Sequence, residues 1–133
     1  MRASSTFVTG EPEILVWPAG LDAVRNVVLD ASTVTGDANN FNRRILKAGT
    51  LLTKSAGVGP DGVDQYKRYT GTGLIEGVLA LDAEFVDGSS NSDTARGMFW
   101  HSCVFKASKI IDYSTYGAAA ISSLNTCKFA NWA

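Results

Sequence analysis

The sequence predicts a mainly β fold in one domain, with one short helix near its C-terminal end and an extended arm at its N-terminal end. Three observations predict it. Between residues 45 and 109, short apolar runs alternate with turn-forming stretches: Lys47-Ala48-Gly49-Thr50-Leu51-Leu52, then Gly73-Leu74-Ile75-Glu76-Gly77-Val78-Leu79-Ala80, then residues 96–106. Near residue 116 the apolar spacing changes from two to that of a helix. Residues 1–23 are apolar but repeatedly interrupted, and so suit an arm better than an internal strand.

Within the arm, Thr6-Phe7-Val8-Thr9-Gly10 and Ile14-Leu15-Val16-Trp17 are β-prone pieces separated by Glu11-Pro12-Glu13, and Pro18 and Gly20 break the chain again. Phe7, Val8, Ile14, Val16 and Trp17 are too apolar for a solvated tail, which makes them the candidate contact residues. The competing reading is an edge strand of the same domain, since termini are often tied down in that way. The division expected is therefore an arm over residues 1–23 and a compact body over residues 24–133.

Residues 24–30 (Val-Arg-Asn-Val-Val-Leu-Asp) are rich in β-branched side chains and read as the first strand of the body. Residues 33–42 are a polar loop. Residues 44–47 and 50–53 read as short strands on either side of Gly49, and residues 55–64 read as turns. Residues 74–81 form the most apolar run and read as a buried strand. Residues 87–94 read as an exposed hairpin loop. In the strand that follows, alternation places Phe99, His101, Cys103 and Phe105 on one face and Met98, Trp100, Ser102 and Val104 on the other. Ser114 or Thr115 is the expected cap of a helix over residues 116–124. A last short strand occupies residues 126–132.

A chain of 133 residues with 45% apolar and 19% charged residues is an ordinary globular domain, and thirteen glycines against three prolines suit many short strands and tight turns. A net charge of -1, without a basic stripe, argues against nucleic acid. No run approaches the ~20 apolar residues of a membrane span. The first residues lack the apolar core of a secretory signal, so synthesis in a cytosol is expected. There Cys103 and Cys127 are expected to be reduced, buried and part of the packing.

Chemistry has few candidates. His101 is the single histidine. Strand alternation would turn Ser102 away from it and set Cys103 roughly 6–7 Å along the strand, too far for a nucleophile–base pair. Cys103, His101 and Cys127 lack the CxxC or HxxxH spacing of a zinc site, so no metal is expected. Asp82, Glu84 and Asp87 stand beside a Gly-Ser-rich turn and read as a solvated rim. Residues 57–62 lack the Lys-Ser/Thr of a phosphate loop. Neither catalytic residues nor a cofactor are expected.

The order of segments over residues 28–129 resembles the head decoration (cement) proteins of tailed bacteriophages. Leu46-Lys47-Ala48-Gly49-Thr50-Leu51-Leu52, Gly77-Val78-Leu79 and the succession of hairpin, Ala-rich helix and final strand carry that resemblance. It implies a small β-barrel or "tulip" that forms a homotrimer on the outer surface of the capsid. There it would clamp neighbouring major capsid subunits, with its N-terminal arm adding a strand to the lattice. The competing class is a phage tail or surface β-module that recognises a host glycan through Tyr66, Tyr69, Trp100 and Trp132. A small hydrolase centred on His101 and Cys103, and a tail-tube or head-completion protein, are further alternatives.

Overall fold

The computed structural model describes residues 14–16, 23–30, 33–36, 43–58, 64–85 and 94–130. They form nine strands, one α-helix and a short 3-10 turn at Ala107–Lys109: β1 (Val24–Leu29), β2 (Arg44–Leu46), β3 (Leu51–Val58), β4 (Asp64–Arg68), β5 (Gly77–Leu79), β6 (Ala83–Phe85), β7 (Thr94–Phe99), β8 (Val104–Lys106), α1 (Tyr113–Ser123) and β9 (Lys128–Ala130). The mainly β class, the barrel and the single C-terminal helix are as expected.

Five strands close into a barrel in the order β1-β4-β3-β5-β7, with β7 returning to β1. Only the β1–β4 pair is parallel, with Leu29 opposite Tyr66; the other pairs are antiparallel. Alternation sends Leu29, Leu52, Tyr66, Leu79 and Met98 into the barrel, where each is almost completely buried. The two-stranded sheet β2–β6 adds Leu46, Ala83 and Phe85 to that interior.

The opposite faces of β3, β5 and β7 build a second core. Leu51 stands opposite Val78, and Val78 opposite Phe99. These side chains pack against the parallel pair β8–β9 and against α1, through Phe105, Ile110, Ala120 and Leu124. Phe105 stacks on Phe129 at 5.2 Å, and Tyr113 meets Phe129 at 5.6 Å. The three barrel strands are therefore covered on both faces, which is why their sequences are apolar at consecutive positions.

Several boundaries differ from expectation for identifiable reasons. The expected continuous strand over residues 96–106 is two strands, because Ser102 adopts φ +56° and turns the chain from the barrel into the second sheet. The Trp100 N–H donates to the Ala23 carbonyl at 3.0 Å and the Ser102 N–H to Thr126 Oγ1 at 3.3 Å, which hold this bend. The helix starts three residues early, at Tyr113, after a left-handed Asp112 whose side chain makes no capping hydrogen bond. That carboxylate is engaged instead with Arg68, at the end of β4. Residues 55–58, read as turn, extend β3, while only Gly77–Leu79 of the apolar run 74–81 is strand.

Ile14–Val16 belong to the body. The Lys106 N–H donates to the Ile14 carbonyl at 2.7 Å and the Val16 N–H to the Val104 carbonyl at 2.8 Å, with Leu15 bridging antiparallel to Phe105. Ile14 and Ala23 are both buried in the second core. These three residues thus pair with β8 through a single bridge, at the edge of the second sheet.

Candidate functional site

The bend between β7 and β8 gathers the chain's least ordinary chemistry. β8 and β9 run parallel with Val104 opposite Lys128, and the Lys128 N–H donates to the Cys103 carbonyl at 2.9 Å. One position earlier on each strand, Cys103 and Cys127 therefore stand side by side. Both are buried and both are free thiols. The Cys103 thiol has two acceptors in reach, the His101 carbonyl at 3.3 Å and the Cys127 sulfur.

That arrangement separates the two acidities. The hydrogen bond from Cys103 draws Cys127 down from the usual thiol range, helped by the Cys103 backbone N–H, the Thr126 hydroxyl and the nearby His101 against the opposing effect of burial. The bond to Cys127, burial and the neighbouring charge push Cys103 up. The shared proton favours one thiolate on the pair over two. His101 is also tied into the bend, with Nδ1 3.0 Å from Ser102 Oγ and its ring edge-on to Trp100 at 4.4 Å. The left-handed Ser102 breaks the strand alternation that was expected to turn these two side chains apart.

A second feature lies on the barrel's outer surface. Val24, Leu81 and Trp100 are exposed, Trp100 by 39%. A methyl group placed on Gly97 would lie 3.2 Å from Val24 and 3.8 Å from Ala80, so those two side chains flank a position without one. Leu81 follows Ala80, and the Arg25 guanidinium lies 5.4 Å from the Trp100 ring centre. Val24 and Ala80 thus neighbour each other across Gly97, while Arg25, the next residue of β1 and so on its other face, lies over Trp100.

The expected contact residues separate. Ile14 is 3% exposed and filled into the protein's own core, so it is not an outward contact; a buried, backbone-paired isoleucine has no surface to offer. Val16 is half-buried and paired to β8. Phe7, Val8 and Trp17 lie outside the described residues. The sugar platform loses Tyr66 and Tyr69, both buried, while Trp132 lies outside the described residues.

The acidic rim is structural where it is described. Asp82 accepts the Ala48 N–H at 2.7 Å, and Glu84 pairs with Arg43, whose hydrogen bond holds its carboxyl below the usual range. Asp87 is outside the described residues. Among the described residues no group of three His, Cys, Asp or Glu side chains could hold a metal, and no helix is long and apolar enough to cross a membrane.

Sequence reasoning noted Val24 and both cysteines but did not join them to these sites. Parallel pairing of β8 with β9 was the missing information. The fold and these sites define a closed five-stranded barrel backed by a small sheet and a helix, with exposed apolar side chains and an adjacent thiol pair. No protein-family model, curated protein or solved structure matches the chain.

Proposed function

We propose that this is a phage capsid decoration protein that binds the outside of the expanded head as a homotrimer and stabilises it by clamping neighbouring major capsid subunits. The observation that carries this reading is the exposure of Val24, Leu81 and Trp100 on a protein built around a closed barrel. Exposed tryptophan, arginine and aliphatic side chains are among those that a protein contact buries. Closure removes the barrel's strand edges and leaves a rigid body for that contact to act through. Threefold repetition multiplies a modest patch by avidity. Made in the host cytoplasm, the protein would reside on the virion's outer surface.

The reading is tested by co-sedimenting the purified protein with expanded and unexpanded capsids of the encoding phage. Saturable binding to expanded capsids is expected, and Trp100→Ala combined with Leu81→Ser should weaken it at least about tenfold, or about 1.4 kcal/mol. Absence of binding to expanded capsids, or unchanged affinity in a folded double variant, would overturn it. Density for bound protein away from every threefold axis would remove the trimer.

A further inference from the structure

Cys103 and Cys127 are close in space for a topological reason. The parallel register that pairs Val104 with Lys128 places the two cysteines one step before the first paired residues. Neighbouring strands lie about 4.8 Å apart, within the roughly 4.4–6.8 Å between α-carbons that a disulfide spans. Their side chains already meet, sulfur to sulfur, as hydrogen-bond partners. Packing alone does not require this: two small apolar residues would fill the same space without a shared proton.

We propose that Cys103 and Cys127 are a redox-active dithiol that reacts with low-molecular-weight disulfides and closes to an intramolecular disulfide stapling β8 to β9. The two residues have different roles. Cys127 attacks: its sulfur accepts the Cys103 thiol, the Cys103 backbone N–H and the Thr126 hydroxyl, all of which favour the thiolate. Cys103 resolves: it is the more buried of the two, and its hydrogen is held between the His101 carbonyl and the Cys127 sulfur.

The exchange balances with a disulfide RSSR as oxidant. The Cys127 thiolate attacks one sulfur of RSSR, forming a mixed disulfide at Cys127 and releasing one thiolate. Cys103 gives up its proton, attacks the Cys127 sulfur and displaces the second thiolate. Two protein thiols are oxidised, and one RSSR is reduced to two RSH once the leaving thiolates are protonated.

The bond would close a loop that contains α1 and Ile110, both part of the outer core. Cross-linking that loop restrains the unfolded chain and tightens the helix against the barrel in the folded one. Such a bond is kept open in a reducing cytosol and closes in an oxidising medium.

The probe is oxidised glutathione added to the native full chain, read by intact mass and by counting alkylatable thiols after quenching. The expected product has lost two hydrogens, retains no glutathione and remains a single chain on a non-reducing gel. Its thermal midpoint should rise by roughly 5–10 °C and return on reduction. Cys103→Ala should trap the mixed disulfide at Cys127, while Cys127→Ala should react at least tenfold more slowly.

Limiting iodoacetamide on the unmodified protein supplies a measurement that needs no variant: peptide mapping should find Cys127 labelled at least tenfold faster than Cys103. Persistence of both thiols in oxidised glutathione overturns the proposal. Equal labelling of the two cysteines overturns the assignment of attacker and resolver.

Discussion

Deleting residues 1–16 is expected to lower the thermal midpoint by roughly 10 °C or more, whereas deleting residues 1–12 leaves it close to that of the full chain. The longer deletion removes Ile14 from the outer core, and with it the two backbone bonds to Val104 and Lys106. A buried isoleucine cut to alanine costs about 2–5 kcal/mol, and each lost backbone bond adds about 1 kcal/mol. Against a total stability of about 5–15 kcal/mol, that is a large fraction. At this chain length roughly 3 °C accompanies each kcal/mol. Equal midpoints for the two deletions would show that the pairing of residues 14–16 with β8 contributes nothing to stability. The shorter deletion also isolates Phe7 and Val8: a loss of capsid binding with the midpoint intact would assign them to the partner.

Gly49→Ala is expected to destabilise by about 3 kcal/mol or more, and Gly71→Ala by only about 1 kcal/mol. Both glycines have positive φ, +92° and +111°, a region that costs an alanine about 1–2 kcal/mol. They differ in surroundings. A β-carbon on Gly49 would stand 2.3 Å from the Lys109 carbonyl oxygen, which is backbone and cannot swing aside. At Gly71 the nearest atoms belong to the Tyr116 ring, at 3.7 Å. Gly49 also joins two layers: its N–H donates to Leu79 in the barrel, and its carbonyl accepts the Ile111 N–H just before α1. Moving Lys109 to relieve the clash would disturb that junction. Denaturant unfolding of the two variants decides it. If they cost the same, the close approach of Lys109 carries no energy.

How far the sequence was legible depends on whether a signal was local. β1 was readable from its β-branched run, and α1 from its alanines. The start of α1 differs from expectation because Asp112, Ser114 and Thr115 are all acceptable caps by propensity, and what holds Asp112 lies at Arg68, far away in the chain. The run 74–81 reads as one long strand because Leu74 and Leu81 are apolar, yet both are exposed and only Gly77–Leu79 pairs. Period-two reading over residues 96–106 failed at Ser102, a non-glycine in the left-handed region with no sequence signature. The thiol pair was hidden for the same reason as the capping residue. Nothing in a lone Cys103 or a lone Cys127 announces a parallel pairing of β8 with β9.

The order in which the barrel strands appear along the chain has a consequence for synthesis. β1 emerges early, but its partners are β4 and β7, and Val24 must wait for Phe99 before the barrel can close. The outer core waits longer still, for β9 at Lys128–Ala130. Until β4 emerges β1 carries unpaired backbone on both sides, and until β7 follows one side stays open and Leu29 has no closed interior to enter. Contacts this distant make folding slow and leave nascent apolar strands exposed to misassociation. A ribosome-bound chain stopped before residue 94 has no β7 with which to close the barrel, so closure waits until most of the chain has been made.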